Sequence, residues 1–213
     1  MRLLVTGAAG KVGQVFIPAF LADSRFADWE VVALCHNRFV EPGARLSIVA
    51  GSLSDEAVIA EAMAGVTHVV HLAAVKESPD LVFDVALKGL FHLLEAFRKS
   101  AQARQFILLS GDCVVGHIFQ PYDEPITEAS VRKAYPGCYA LTKVLEETML
   151  EQYGIQYGVN WSTLRAPWIM EKDDFRFALD FGDEQFGGPP WTEIVDEATL
   201  QRSRNGRYVP VLR

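Results

Sequence analysis

Cysteine is scarce in this sequence: three residues in 213, at positions 35, 113 and 138, with no CxxC pair. That spacing offers no structural zinc framework and no other metal site, fits a reducing compartment, and leaves buried free thiols as the reading of all three. A basic surplus is missing as well. Lysine and arginine number 20 against 27 aspartates and glutamates, a formal net charge of −7. No cationic surface is on offer to displace counterions from a phosphate backbone, so nucleic acid is not expected as a partner. No apolar run is long enough to cross a bilayer, and the opening MRLLVTG enters a glycine turn too soon to form a signal-peptide core. A cytoplasmic protein without membrane association is expected. Internal repeats and low-complexity tracts are lacking too.

What is present is an alternation. Half of the residues are apolar, enough for one sizeable core. Short β-branched runs at 2–6, 30–35, 46–49, 68–72, 105–110 and 160–164 read as strands. Between them, apolar residues recur at helical spacing over 11–26 (with Pro18 expected to bend the helix), 55–63 (with Ser54 as N-cap), 79–100 and 136–153, the last ending before Gly154. Strands alternating with helices predict an α/β fold: a Rossmann-type, doubly wound parallel sheet with helices on both faces. The pattern breaks from Glu171 onward into charged and Gly/Pro-rich pieces such as FGGPPW. A domain over 1–170 and a partial, poorly ordered segment over 171–213 are expected.

The segment TGAAGKVG at 6–13 follows a strand and opens a helix, the setting that a dinucleotide-binding turn requires. Gly7 permits the tight turn, Gly10 lets the backbone approach a pyrophosphate, and Gly13 lets helix and strand pack closely. Ala9, Lys11 and Val12 complete the cradle, and the helix N-terminus supplies amide donors. The spacing is GxxGxxG. An acid that receives the ribose of NAD usually ends the second strand; here the strand ends in Leu34, Cys35, His36, Asn37 and Arg38, with no carboxylate before Glu41. Arg38, with His36 when protonated, suits a 2′-phosphate instead. NADP is therefore favoured over NAD.

TGAAGKVG, GSLSD at 51–55, HLAA at 71–74, LSGDCVVG at 109–116, YALTK at 139–143 and LRAPWI at 164–169 occur in that order. Together they resemble the extended short-chain dehydrogenases, the NAD(P)-dependent epimerase/dehydratase proteins that act largely on nucleotide sugars. The resemblance covers residues 1 to about 170. It implies cofactor contacts at Ser52, Leu53, Leu72, Ala73, Ala74, Pro167 and Ile169, and a homodimer built on the helices at 79–100 and 136–153. It also implies a sugar-like small-molecule substrate. Tyr139 and Lys143 are four apart on a helix and share one face. A cation beside the phenol is expected to lower its pKa from the usual value of about 10. Tyr139 then serves as general base toward a hydroxyl or general acid toward a carbonyl. By resemblance, Lys143 also holds the nicotinamide ribose.

The departures are equally specific. The family's Ser or Thr five residues before Gly116 is here Gly111. Ser110 is the neighbouring hydroxyl and the third catalytic candidate, although a regular strand turns it to the opposite face from residue 111. Asp112, Cys113 and His117 are nearby polar alternatives whose ordinary reading is loop surface. Ser52 stands where the family has an aspartate, Ala86 replaces an asparagine, and Met170 and Glu171 replace Tyr-Gly. Relatives run on for about a further hundred residues as a substrate lobe. This chain stops at Arg213, so that lobe is expected to be truncated or absent. His68 and His71 face opposite sides of a strand and form no metal pair. Glu146, Glu147 and Glu151 read as a solvated helix face, and Trp161, Trp168 and Trp191 as packing. Two functions remain open: an NAD(P)-dependent oxidoreductase, epimerase or dehydratase, or a catalytically degenerate sensor that binds the dinucleotide without turnover.

Overall fold

The computed structural model describes residues 1–116, 123–167 and 169. Six strands form one wholly parallel sheet: β1 (Arg2–Thr6), β2 (Glu30–Cys35), β3 (Leu46–Ala50), β4 (His68–His71), β5 (Gln105–Gly111) and β6 (Trp161–Ala166), in the order β3-β2-β1-β4-β5-β6. Side chains alternate across it. Leu4, Val32, Val69 and Phe106 enter one apolar layer, and Leu3, Val5, Val31, Ala33 and Val70 enter the other. A parallel sheet covered on both faces demands this, which is why its central strands read as unbroken apolar runs. Each fully buried leucine contributes roughly 1.5–3 kcal/mol.

The first layer packs under α2 (Glu56–Ala62), α4 (Lys88–Lys99) and α5 (Cys138–Tyr157), through Ile59, Leu90, Leu93, Leu94, Phe97 and Leu150. The second packs under α1 (Lys11–Ala22) through Ile17, Phe16 and Phe20. The chain winds outward from β1 to β3, then crosses to β4 on the other side of β1. At that reversal the connections diverge above the carboxyl ends of β1 and β4 and leave a crevice, where ligands of such folds bind.

Several expected boundaries move. α1 runs through Pro18 but ends at Ala22 rather than near 26, with a 3-10 turn (Ser24–Phe26) after it. Asp55, not Ser54, caps α2, accepting from the amides of Ala57 and Val58. The single helix expected over 79–100 is α3 (Pro79–Leu81), then π-helical turns (Val82–Leu87), then α4. α5 starts at Cys138 and passes through Gly154, because the Trp161 indole lies where a Cβ at 154 would stand; Gly158, left-handed at φ 67°, ends it. β5 extends to Gly111, in register with Ala166. The segment expected to be poorly ordered, 171–213, lies outside the described residues. Among the described residues no helix is long and apolar enough to cross a membrane, and no three His, Cys, Asp or Glu side chains gather as a metal site.

Candidate active site

The glycine turn is built by close approach. Gly7 adopts φ 64°, and a Cβ there would stand 2.6 Å from the Ala73 amide nitrogen. Gly10 N donates to Gly7 O at 2.9 Å, and a Cβ on Gly13 would run into the Ala8 carbonyl. Only glycine lets the ends of β1 and β4 and the start of α1 sit this near one another. Thr6 ties the two strands: its Oγ1 lies 2.8 Å from His71 Nδ1 and accepts from the Ala73 amide. Gly10 caps α1 with no side-chain acceptor on the first-turn amides. Those donors, the helix dipole and the bare glycine backbone fit the pyrophosphate of a dinucleotide.

A cleft of about 1050 Å³ opens above these strand ends. Gly7, Ala9, Gly10, Lys11 and Val12 form its floor, His36 and Arg38 one end, and Ser52, Leu53, Leu72, Ala73 and Ala74 a wall. Ser110, Tyr139 and Lys143 lie at the far end with Pro167 and Ile169. Gly13 alone of the expected cofactor residues is off the lining, buried where α1 meets the turn. His117, Trp168, Trp191, Met170 and Glu171 lie outside the described residues.

At the chemical end, α5 projects Tyr139 and Lys143 over β5. The Lys143 side chain is 3% exposed; its Nζ donates to Leu109 O at 3.2 Å and to Glu146 Oε2 at 2.8 Å, and sits 5.9 Å from the Tyr139 ring centroid. The phenol does not respond as the sequence suggested. Burial pushes its pKa up, and Cys113, Glu146, Asp112 and Glu77 push it further in the same direction. Lys143 spends its charge on Glu146, so the phenol is held protonated. Burial, reinforced by the Lys143 charge, depresses His71 to about 3, leaving a neutral imidazole. Ser110 lines the cleft, and its Oγ is buried without a hydrogen-bond partner. The regular register of β5 through Gly111 leaves no bulge to rotate it into residue 111's place.

Other expectations are corrected here. Glu146 and Glu147 are not a solvated face: both are buried, Glu146 on Lys143 and Glu147 on Arg165, whose Nη2 is 2.9 Å away. Only Glu151, bound to Arg132, stays partly open. Cys113 is not loop surface. A 3-10 turn (Asp112–Val115) folds it under Tyr135 and Ala140, and burial raises its thiol to about 12. Cys138 is half-buried rather than buried.

Glu77 was invisible in the sequence. It lines the cleft from the loop after β4, and its Oε2 accepts from the Cys138 amide at 2.9 Å and the Cys138 thiol at 3.1 Å. It therefore caps α5 from 61 residues away, and no local pattern could signal that. Glu146 did carry a signal, lying one turn beyond Lys143 on the same helix face.

Residues 3–169 match the family model described as NAD dependent epimerase/dehydratase. An L-arabinose 1-dehydrogenase (NAD(P)(+)) of Haloferax volcanii is 29% identical over 196 residues, covering 84% of this chain and 71% of that protein. A uronate dehydrogenase of Pseudomonas putida is 29% identical over 170 residues, covering 77% and 59%. The crystal structure of Thermus thermophilus UDP-glucose 4-epimerase in complex with NAD superposes with a TM-score of 0.67 at 29% identity, over 78% of this chain and 54% of that one. The chain thus spans little more than half the length of the last two.

Proposed function

The chain belongs to the NAD dependent epimerase/dehydratase family, and from that premise we propose that it is a nicotinamide-dinucleotide-dependent oxidoreductase of a sugar or related carbonyl compound. Tyr139 is the general acid or base, and Lys143 its partner. The observation that carries this reading is one cleft with a phosphate-accepting glycine turn on its floor and, at its far end, the half-buried Tyr139 beside the buried Lys143. The arabinose and uronate dehydrogenases among its relatives support a sugar substrate, free or nucleotide-linked.

A bound nicotinamide supplies the hydride donor or acceptor. In the reducing direction the phenol of Tyr139 delivers a proton to the substrate oxygen as its carbon gains hydride; in the oxidising direction the phenolate takes the hydroxyl proton as hydride leaves. A phenol held protonated suits the first direction at neutral pH. Ser110 is the neighbouring hydroxyl candidate, buried and without a partner, and must turn toward the cleft to hold the substrate oxygen. In this reading residues 1–170 are the dinucleotide-binding unit and 171–213 contribute to substrate binding. The reading extends to a cytoplasmic homodimer, supported by Phe83, Phe91 and Leu141, which remain exposed on and around helices that pack together.

His36 and Arg38 at the adenosine end, with no carboxylate at the close of β2, support NADP over NAD. Titration with NADPH and NADH, followed by nicotinamide fluorescence, tests this. NADPH should bind more tightly, and Arg38→Ala should weaken it roughly tenfold while leaving NADH unchanged, the loss of one charge-assisted contact. Failure of both dinucleotides to bind overturns the functional reading; equal weakening of both overturns the NADP preference. Gly111, where the family resemblance implies a Ser or Thr, favours a second reading: a sensor that binds the dinucleotide without turnover. Turnover on an aldose or uronate panel that Tyr139→Phe abolishes, with binding retained, refutes the sensor.

A further inference from the structure

α5 carries an acid that the chemistry above does not use. Glu146 is 0% exposed, its Oε2 accepts from Lys143 Nζ at 2.8 Å, and its Oε1 is buried without a hydrogen-bond partner. A carboxylate so placed loses its hydration, and one cation that satisfies only one of its two oxygens is a poor replacement. As a device for holding α5 to the sheet, the pair is inferior to the Leu150 and Tyr153 contacts one and two turns further along. Its effect falls on Lys143. The ammonium has three donors; Leu109 O takes one and Glu146 another.

We propose that Glu146 is a positioning residue that restrains Lys143. It holds the ammonium against α5 and cancels its charge at Tyr139, so that a nicotinamide dinucleotide must draw Lys143 from Glu146 to be held by it. This rests on the reading that the cleft takes such a dinucleotide. The groups facing the pair are His71 from β4, the Leu109 carbonyl and Ser110 from β5, and Asp112 and Cys113 from the turn after β5. Tyr139 and Glu147 face it from α5 itself, and Glu77, from the loop after β4, faces Tyr139. His71 is neutral, and Glu147 is engaged by Arg165. Glu146 is the acid whose charge sits directly on Lys143. With it in place, the ammonium and carboxylate act on the phenol as a dipole rather than as a cation.

Glu146→Gln keeps the side-chain length and an acceptor oxygen while removing the charge. NADPH and NADH titrations of the parent and this variant, with pH profiles of the oxidising reaction, read the consequence. The dissociation constant of the preferred dinucleotide should fall roughly threefold to tenfold, since the competent position of Lys143 no longer competes with a bound one. The pH midpoint of oxidation should move about half a unit or more to the acid side as the freed cation acts on the phenol. Glu146→Asp, which keeps the charge but draws it back by one methylene, should move both readouts the same way by less, and serves if the glutamine variant does not fold. A loss of structure alone would not shift the pH midpoint. Folded variants with an unchanged or weaker dissociation constant and an unmoved midpoint overturn the inference while leaving the functional reading intact. A parent chain that binds neither dinucleotide overturns both.

Discussion

Gly111→Ser returns a hydroxyl to the end of β5. Residue 111 has φ −139° and ψ 163°, extended backbone that any residue adopts, so the change carries no conformational penalty. A Cβ there would stand 3.1 Å from Cys113 Sγ and 3.8 Å from Ala166 O. Only the sulfur is tight, and it belongs to a side chain that must give by a few tenths of an ångström. That places the cost near the lower end of the roughly 1–3 kcal/mol typical of overpacking. Removing a glycine from a strand returns about 0.5–1 kcal/mol. Stability should therefore hold to within about 1 kcal/mol, a shift of a few degrees in Tm. On the catalytic side, a hydroxyl at the cleft surface that donates to the substrate oxygen as charge develops should raise kcat/KM by roughly 10- to 100-fold, somewhat below the effect of an oxyanion-hole donor. The assay is nicotinamide absorbance with aldose and uronate substrates, paired with a dinucleotide titration that should stay within about twofold of the parent. A folded variant with parental dinucleotide binding and no gain in turnover refutes the assignment of the missing hydroxyl to residue 111. A silent parent that becomes active through this one change identifies the natural chain as a dinucleotide-binding protein disabled at a single residue.

Two further outcomes are expected. His71 is neutral in the fold, with a pKa near 3, whereas the unfolded chain takes up its proton near 6.5; between those values the unfolded state holds more protons, so stability falls as pH drops. Urea unfolding should show a loss of about 2 kcal/mol between pH 7 and 5 from this group, and His71→Phe should flatten that slope; an equal slope in both proteins would rule His71 out as its source. Glu77→Ala removes the acceptor on the first turn of α5 and should cost about 1 kcal/mol, read as a lower urea midpoint. It also removes the hydrogen bond that holds the Cys138 thiol pKa up, so alkylation of Cys138 at mildly alkaline pH should accelerate; an unchanged rate would show that Glu77 does not control the thiol.

The parallel sheet and the glycine turn are legible because their signals are local: apolar runs of strand length, and three glycines spaced between a strand and a helix. The far end of the cleft was legible only in part. Tyr139 and Lys143 stood out by spacing, but the acids around them were misread, since a run such as EE at 146–147 looks solvated until β5 and Arg165 are laid over it. Gly154 looked like a helix stop because the sequence does not show Trp161 packing against it. The phenol's direction of shift was missed for the same reason. A cation four residues away is visible in one dimension, whereas the carboxylate that neutralises it is buried by tertiary contacts.

The tie between Glu77 and the start of α5 also bears on how this sequence can change over time. Gly137 sits at φ 131°, and a Cβ there would stand 2.6 Å from a Glu77 oxygen, so glycine is required at 137 on two counts, the backbone conformation and the carboxylate that adjoins it. Position 137 should therefore stay glycine among descendants of this chain whatever stands at 77: loss of the acid would open space beside it, but a side chain there would still be strained by the backbone. The acid at 77 has no such backbone constraint, so the tie between the loop beyond β4 and the helix bearing Tyr139, across 61 residues of sequence, rests on the Glu77 side chain alone.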